Sequence, residues 1–220
     1  MRKSLLAQGN VLLRAAHFGP TVMVTTITFV LALSQFSPID ALRIAIAIFA
    51  GQLVVGWSND LYDFADDSKH NRQNKPLVSG VITKEYLQRW LRLMVPFSFI
   101  ANLAGPLGVN GGLVYMLGVA FGVAYNFYFK FSPLSPLPFA IAFAALPSCI
   151  AISKDITPPT WMWAGGALFG MAAHFINVIK DMKEDQISEI MGLPQILGTR
   201  KSIVVATLLI TLGIAVLIYS

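Results

Sequence analysis

Seven apolar runs, at about residues 17–36, 39–58, 85–104, 107–129, 134–152, 161–179 and 202–219, constrain this chain more than any other feature. Each is long enough, or nearly so, to cross the roughly 30 Å hydrocarbon core of a bilayer. Backbone polar groups find no water in lipid, so only helices and closed barrels span it, and apolar runs without alternating polarity exclude barrel strands. The sequence therefore predicts an all-α, polytopic transmembrane helical bundle of about seven spans. Ser37-Pro38, Gly105-Pro106, Ser132-Pro133, Ser135-Pro136 and Pro158-Pro159 mark the joints between runs.

Charged residues make up only 12% of the chain, against about a quarter in soluble domains. The net charge of +5 is spread between apolar runs rather than gathered on one face or tail, which argues against a nucleic-acid partner. The one cysteine, Cys149, lies in an apolar run, so no intrachain disulfide or metal-thiolate site can form and it reads as a small buried hydrophobe. The start Met1-Arg2-Lys3 is not followed by a cleavable leader pattern; the first long apolar run begins after Arg14 and reads as a first span.

Basic residues assign the sides. The N-terminus (Arg2, Lys3, Arg14), the second connection (Lys69, Arg72, Lys75, Lys84, Arg89, Arg92), the fourth (Lys130) and the sixth (Lys180, Lys183, Arg200, Lys201) hold all but Arg43 and Lys154 of the 16 Lys and Arg. Short cytoplasmic loops collect positive charge, so the N-terminus is expected in the cytoplasm and the C-terminus outside. One miscounted span would scramble that partition.

Most of the 11 acidic residues fall in two short segments, Asp60, Asp63, Asp66 and Asp67 after the second run and Asp181, Glu184 and Asp185 after the sixth, both on the expected cytoplasmic side. Asn59, Asp63 and Asp67 stand at i, i+4, i+8, and so do Asn177, Asp181 and Asp185. On a helix such residues form one ridge, with Asp66 and Glu184 beside the ridges. Like charges at this spacing repel, more so beside lipid, so a cation is expected among them. Oxygen donors without cysteine or a neighbouring histidine favour a hard cation such as Mg²⁺ over zinc or copper. Either segment alone also reads as a solvated helix end, its carboxylates paired to Lys69, Arg72, Lys180 and Lys183; the matched spacing and side favour the cation site. Arg72, Lys75, Lys180 and Lys183 suit phosphate oxygens. A metal and basic groups at the mouth of an apolar bundle describe a site for a phosphorylated head on a greasy tail, as in a polyprenyl diphosphate.

With these residues the chain resembles the UbiA superfamily of intramembrane prenyltransferases, which includes enzymes of ubiquinone, menaquinone, haem O, chlorophyll and archaeal ether-lipid synthesis. One signature reads Asn59-Asp60-Leu-Tyr-Asp63-Phe-Ala-Asp66-Asp67 with Lys75-Pro76-Leu77-Val-Ser-Gly80; the other reads Asp181-Met-Lys-Glu-Asp185 with Leu193-Pro194 and Leu197-Gly198. Tyr125-Asn126 and Lys130 match the family's Tyr and Lys after the fourth span. The resemblance implies one membrane domain over residues 1–220 and Mg²⁺ held by Asn59, Asp60, Asp63 and Asp67 and by Asn177, Asp181 and Asp185. It makes Asp63, Asp67, Asp181 and Asp185 catalytic, and Arg72, Lys75, Lys130, Lys180, Tyr125 and Asn126 diphosphate contacts. The implied reaction is ionisation of the prenyl diphosphate and attack on its C1 by an aromatic or quinone-type acceptor in a dry chamber. Phe121, Tyr125, Phe127 and Phe175 are candidates to shield the cation or plain packing residues, and His174 is a candidate for the site or for a helix-to-helix hydrogen bond.

Three departures stand out: Glu189 where the family usually has Gly, Met191 and Leu193 where it has a basic residue and Thr, and seven spans where it usually has nine. The missing spans would open part of the chamber wall, so the chain reads as a C-terminally shortened product, a fragment, or a domain whose wall is completed by self-association. The alternatives are a membrane terpene cyclase of the same superfamily and an inactive lipid-binding member; a transporter is disfavoured because the acidic groups lie at the boundary rather than the midplane.

Overall fold

The computed structural model describes the backbone of residues 5–220 and the side chains of residues 9–220 other than 183, 184 and 186. Arg2 and Lys3 and the side chains of Lys183 and Glu184 thus lie outside the described residues. Within them all regular structure is helical: α1 (Leu5–Ala15), α2 (Phe18–Ala32), α3 (Pro38–Lys69), α4 (Lys84–Ala104), α5 (Gly108–Phe127), α6 (Leu137–Ile152), α7 (Gly166–Ile187) and α8 (Leu193–Tyr219). A 3₁₀ turn at Phe129–Phe131 follows α5, and a π turn at Trp161–Gly165 leads into α7.

Each of the seven apolar runs becomes a helix, and α1 is added before them. Length and apolarity suffice to cross a bilayer in four cases, α3, α5, α7 with its π turn, and α8; the α1–α2 pair, bent by 91°, is a fifth if it counts as one span. Gln88, Arg89, Arg92 and Asn102 dilute α4, and α6 is short at 16 residues.

The chain divides into two compact units, one ending at Pro106 and one comprising Leu107–Ser220. In the first, α3 is the centre against which α1, α2 and α4 pack. Ser37 caps α3 by accepting from the Asp40 N–H at 3.2 Å, with Pro38 in the first turn where its missing N–H does no harm. Asn102, fully buried on α4, donates to the Ala47 carbonyl of α3 at 3.0 Å, a tie suited to an apolar surround. His17, in the left-handed region at φ 55°, makes the corner between α1 and α2. Trp57 secures that corner by donating to the Leu12 carbonyl at 2.9 Å, and Ala15, Ala16, Leu53, Trp57, Leu77 and Leu87 form the core beneath it.

The corner comes so close that a Cβ on Gly56 would stand 2.6 Å from the Ala16 oxygen. Alanine would gain about 1 kcal/mol of helix propensity, but the clash is with backbone and cannot rotate away. Gly56→Ala is therefore expected to destabilise the first unit by about 1–3 kcal/mol, read as a lower thermal midpoint in detergent by circular dichroism.

In the second unit α5 packs on α6, α6 on α7 and α7 on α8. Gly198, at φ 75° and ψ 166°, breaks α8 into a short entry and a long apolar remainder.

Candidate functional site

The first acidic ridge lies on the last turns of α3. At about 1.5 Å per residue its 32 residues extend about 48 Å, against a core of roughly 30 Å, so the turns from Asn59 onward form the expected extension. Carboxylates at a helix C-terminus face the negative end of its dipole as well as one another. Cations must come from elsewhere, and the connection to α4 brings them back.

That connection is held by its own residues. Leu77 is buried in the core beside Trp57 and Leu87, Ser79 Oγ donates to the Lys75 carbonyl at 3.0 Å, and Gly80 takes the left-handed turn at φ 68°. Lys75 Nζ then donates to Asp60 Oδ1 at 2.7 Å and stands 3.9 Å from Asp67 Oδ2. Arg72 Nη1 donates to Asp67 Oδ1 at 2.6 Å and stands 3.8 Å from Asp66 Oδ2. Asp60 and Asp67, seven residues apart on one face, are only 3% and 2% exposed. Asn59 Nδ2 donates to Asp63 Oδ2 at 2.9 Å, while Asn59 Oδ1 lies 2.8 Å from His17 Nε2, which is the donor of that pair. His17 Nε2 is also 3.5 Å from Asp60 Oδ1 and from Lys75 Nζ.

The structure thus gathers Asn59, Asp60, Asp63, Asp67, Arg72 and Lys75. Arg72 and Lys75 grip carboxylates, a pairing the sequence offered for Arg72, because a buried, unpaired carboxylate costs several kcal/mol. His17 is a member that sequence reasoning missed; a lone histidine at a helix joint carries no spacing signal.

On α7, Asn177, Lys180 and Asp181 are exposed and Asp185 is half-buried. Asp185 Oδ2 accepts from Gln195 Nε2 of α8 at 2.7 Å, a partner that the sequence did not suggest. Asn126, at the end of α5, and Lys130, in the 3₁₀ turn, are buried, with Lys130 Nζ 5.1 Å from the Phe131 ring centre. The Tyr125 ring stands edge-on to Phe139 and to His174, with centres 5.1 and 5.5 Å apart. His174, 1% exposed, pairs through Nε2 with Ser135 Oγ at 3.0 Å, a hydroxyl of the turn before α6 rather than of a neighbouring helix. Of the other candidate aromatics, Phe121 tilts against Phe129 at 6.1 Å, Phe175 is buried beside His174, and Phe127 is exposed.

Among the described residues no three His, Cys, Asp or Glu side chains form a ready metal cage. Mg²⁺ does not require one, since it takes one or two carboxylates and keeps waters and substrate phosphates as its other ligands. The donors of α3 are oxygens, and Asp60 Oδ2 is buried with no hydrogen-bond partner among the described residues, so the set fits that ion.

The model of the UbiA prenyltransferase family matches residues 21–220, a stretch that contains both acidic ridges. This chain belongs to the UbiA prenyltransferase family. Its fold is shared by a UbiA homolog from Archaeoglobus fulgidus bound to GPP and Mg²⁺, with a TM-score of 0.79 and 16% identity over 95% of this chain and 77% of that one. A digeranylgeranylglyceryl phosphate synthase gives a TM-score of 0.73 at 15% identity, covering 94% of this chain and 75% of that one. The apo UbiA homolog from Aeropyrum pernix K1 gives 0.70 at 17% identity, covering 94% and 77%. A search of curated protein sequences found no significant match. The family match and the all-helical fold agree with the resemblance carried by the Asn59–Asp67 and Asp181–Asp185 signatures.

Proposed function

We propose that this chain transfers a polyprenyl group from a prenyl diphosphate, with Mg²⁺, to an aromatic or quinone-precursor acceptor within the membrane. What carries the reading is the family match through both acidic ridges, joined to an α3 end where buried Asp60 and Asp67 are gripped by Lys75 and Arg72. The Archaeoglobus fulgidus relative, with GPP and Mg²⁺, supports the donor and the ion.

In this reading Asn59, Asp60, Asp63 and Asp67 hold Mg²⁺, as do Asn177, Asp181 and Asp185. Mg²⁺ held there would supply positive charge opposite the leaving diphosphate. Arg72 and Lys75 are the residues whose donors meet phosphate oxygens, Arg72 by its planar fork and Lys75 by an ammonium with three N–H groups, of which Asp60 takes one. Lys130 and Lys180, with Tyr125 and Asn126, serve the same head group. As the allylic carbon–oxygen bond breaks, its electrons leave with the diphosphate, and the acceptor supplies the pair that forms the new bond at C1. The apolar surround keeps water from the carbocation. In this reading the chain acts as one membrane domain with a cytoplasmic N-terminus and cytoplasmic acidic ridges.

The test is incubation of purified protein with radiolabelled geranyl or geranylgeranyl diphosphate, with aromatic, quinone-precursor or glyceryl phosphate acceptors and with none. The expected result is a prenylated aromatic product that vanishes with EDTA and returns with Mg²⁺. Acceptor-independent hydrocarbon would establish a cyclase instead, and no turnover with any acceptor would overturn the enzyme reading.

A further inference from the structure

The start of α8 poses a problem of its own. Its N-cap is Gly192, which has no side chain to satisfy the first backbone N–H groups of the helix. Ser135, in the segment before α6, does this from outside: its Oγ accepts from the Leu193 N–H at 3.0 Å. The same hydroxyl bonds His174 Nε2 at 3.0 Å, and both side chains are buried, Ser135 completely. One hydroxyl thus serves both the Leu193 N–H and the His174 imidazole.

This borrowed cap fixes the first turn of α8, and with it Gln195. Gln195 donates to Asp185 Oδ2 at 2.7 Å while its own Oε1 stays buried without a partner among the described residues. A Cβ on Gly192 would stand 2.8 Å from both Gln195 Oε1 and Ser135 Oγ, so the three pack with no space to spare. A buried acceptor left unmatched is a local cost of the kind tolerated at functional positions. The Gln195 amide is a neutral donor to the Asp185 carboxylate, whereas Lys75 and Arg72, from the connection after α3, are cationic donors to Asp60 and Asp67.

We infer that Gln195 is a positioning residue for Asp185, aimed by the trans cap of Ser135 and the His174 bond behind it. The inference rests on the reading of the α7 ridge as a Mg²⁺ and diphosphate site. The full chain, purified in detergent, is titrated with Mg²⁺ in the presence of geranyl diphosphate and followed by thermal stabilisation, for native protein, Gln195→Met, Ser135→Ala and Ser135→Thr. Gln195→Met is expected to raise the Mg²⁺ concentration at half effect about tenfold, the loss of one hydrogen bond to a charged group. Ser135→Ala is expected to raise it several-fold and to speed amide exchange at Leu193, with Ser135→Thr restoring both. Midpoints within twofold of native for Gln195→Met and Ser135→Ala would overturn the inference while leaving the functional reading intact. A native chain that shows no Mg²⁺-dependent stabilisation would overturn both.

Discussion

Asp63→Ala and Asp181→Ala are each expected to lower prenyl transfer by roughly two to three orders of magnitude, the range for removing one preorganised electrostatic group. Neither aspartate is fully buried: Asp63 is half-buried and held by Asn59, and Asp181 is exposed on α7. Removal therefore leaves no large cavity. Membrane insertion follows the apolar runs and flanking Lys and Arg, which neither change touches. Both variants should partition into membranes and melt close to the native temperature in detergent while labelled product disappears. Retained activity in both would sink the metal assignment.

Lys75→Met should do the reverse first, by unfolding. Asp60 is 3% exposed and bonded to Lys75 at 2.7 Å, and that cation also stands near buried Asp67. Removing one partner of a buried pair strands a charge in low dielectric, at about 3–5 kcal/mol. For a chain of this size that corresponds to a fall of about 10 °C in thermal midpoint. The pair Asp60→Asn with Lys75→Met should recover most of that loss, because the charge leaves with its partner, yet stay inactive. A single variant that melts with the native chain would show that Asp60 is not held as an anion by Lys75; an active double variant would remove both residues from the diphosphate site.

The two signatures were legible because helical spacing is local: four-residue steps place Asn59, Asp63 and Asp67 on one ridge whatever surrounds them. The Lys-Pro-Leu-x-x-Gly turn was legible as a pattern but not in its action. That Leu77 is the plug, and that Lys75 consequently reaches back 15 residues to Asp60, depends on a core assembled from α1, α3 and α4. That Arg72 and Lys75 neutralise two buried carboxylates depends on the same packing.

His17, Ser135 and Gln195 were beyond reach for the same reason. His17 and Ser135 act across 42 and 58 residues, Gln195 acts on the neighbouring helix across a turn, and none belongs to a repeated spacing. The α1 helix and the α1–α2 corner likewise depend on a close backbone approach at Gly56 that no periodicity announces.

By itself, then, the sequence determined that this chain is helical, apolar enough for lipid, and furnished with two ridges of oxygen donors, because hydropathy and helical periodicity are properties of neighbouring residues. Only the tertiary structure decided which carboxylates are buried, which cations neutralise them and which neutral donor orients Asp185. Those outcomes depend on desolvation and distance, which exist only once remote segments have packed.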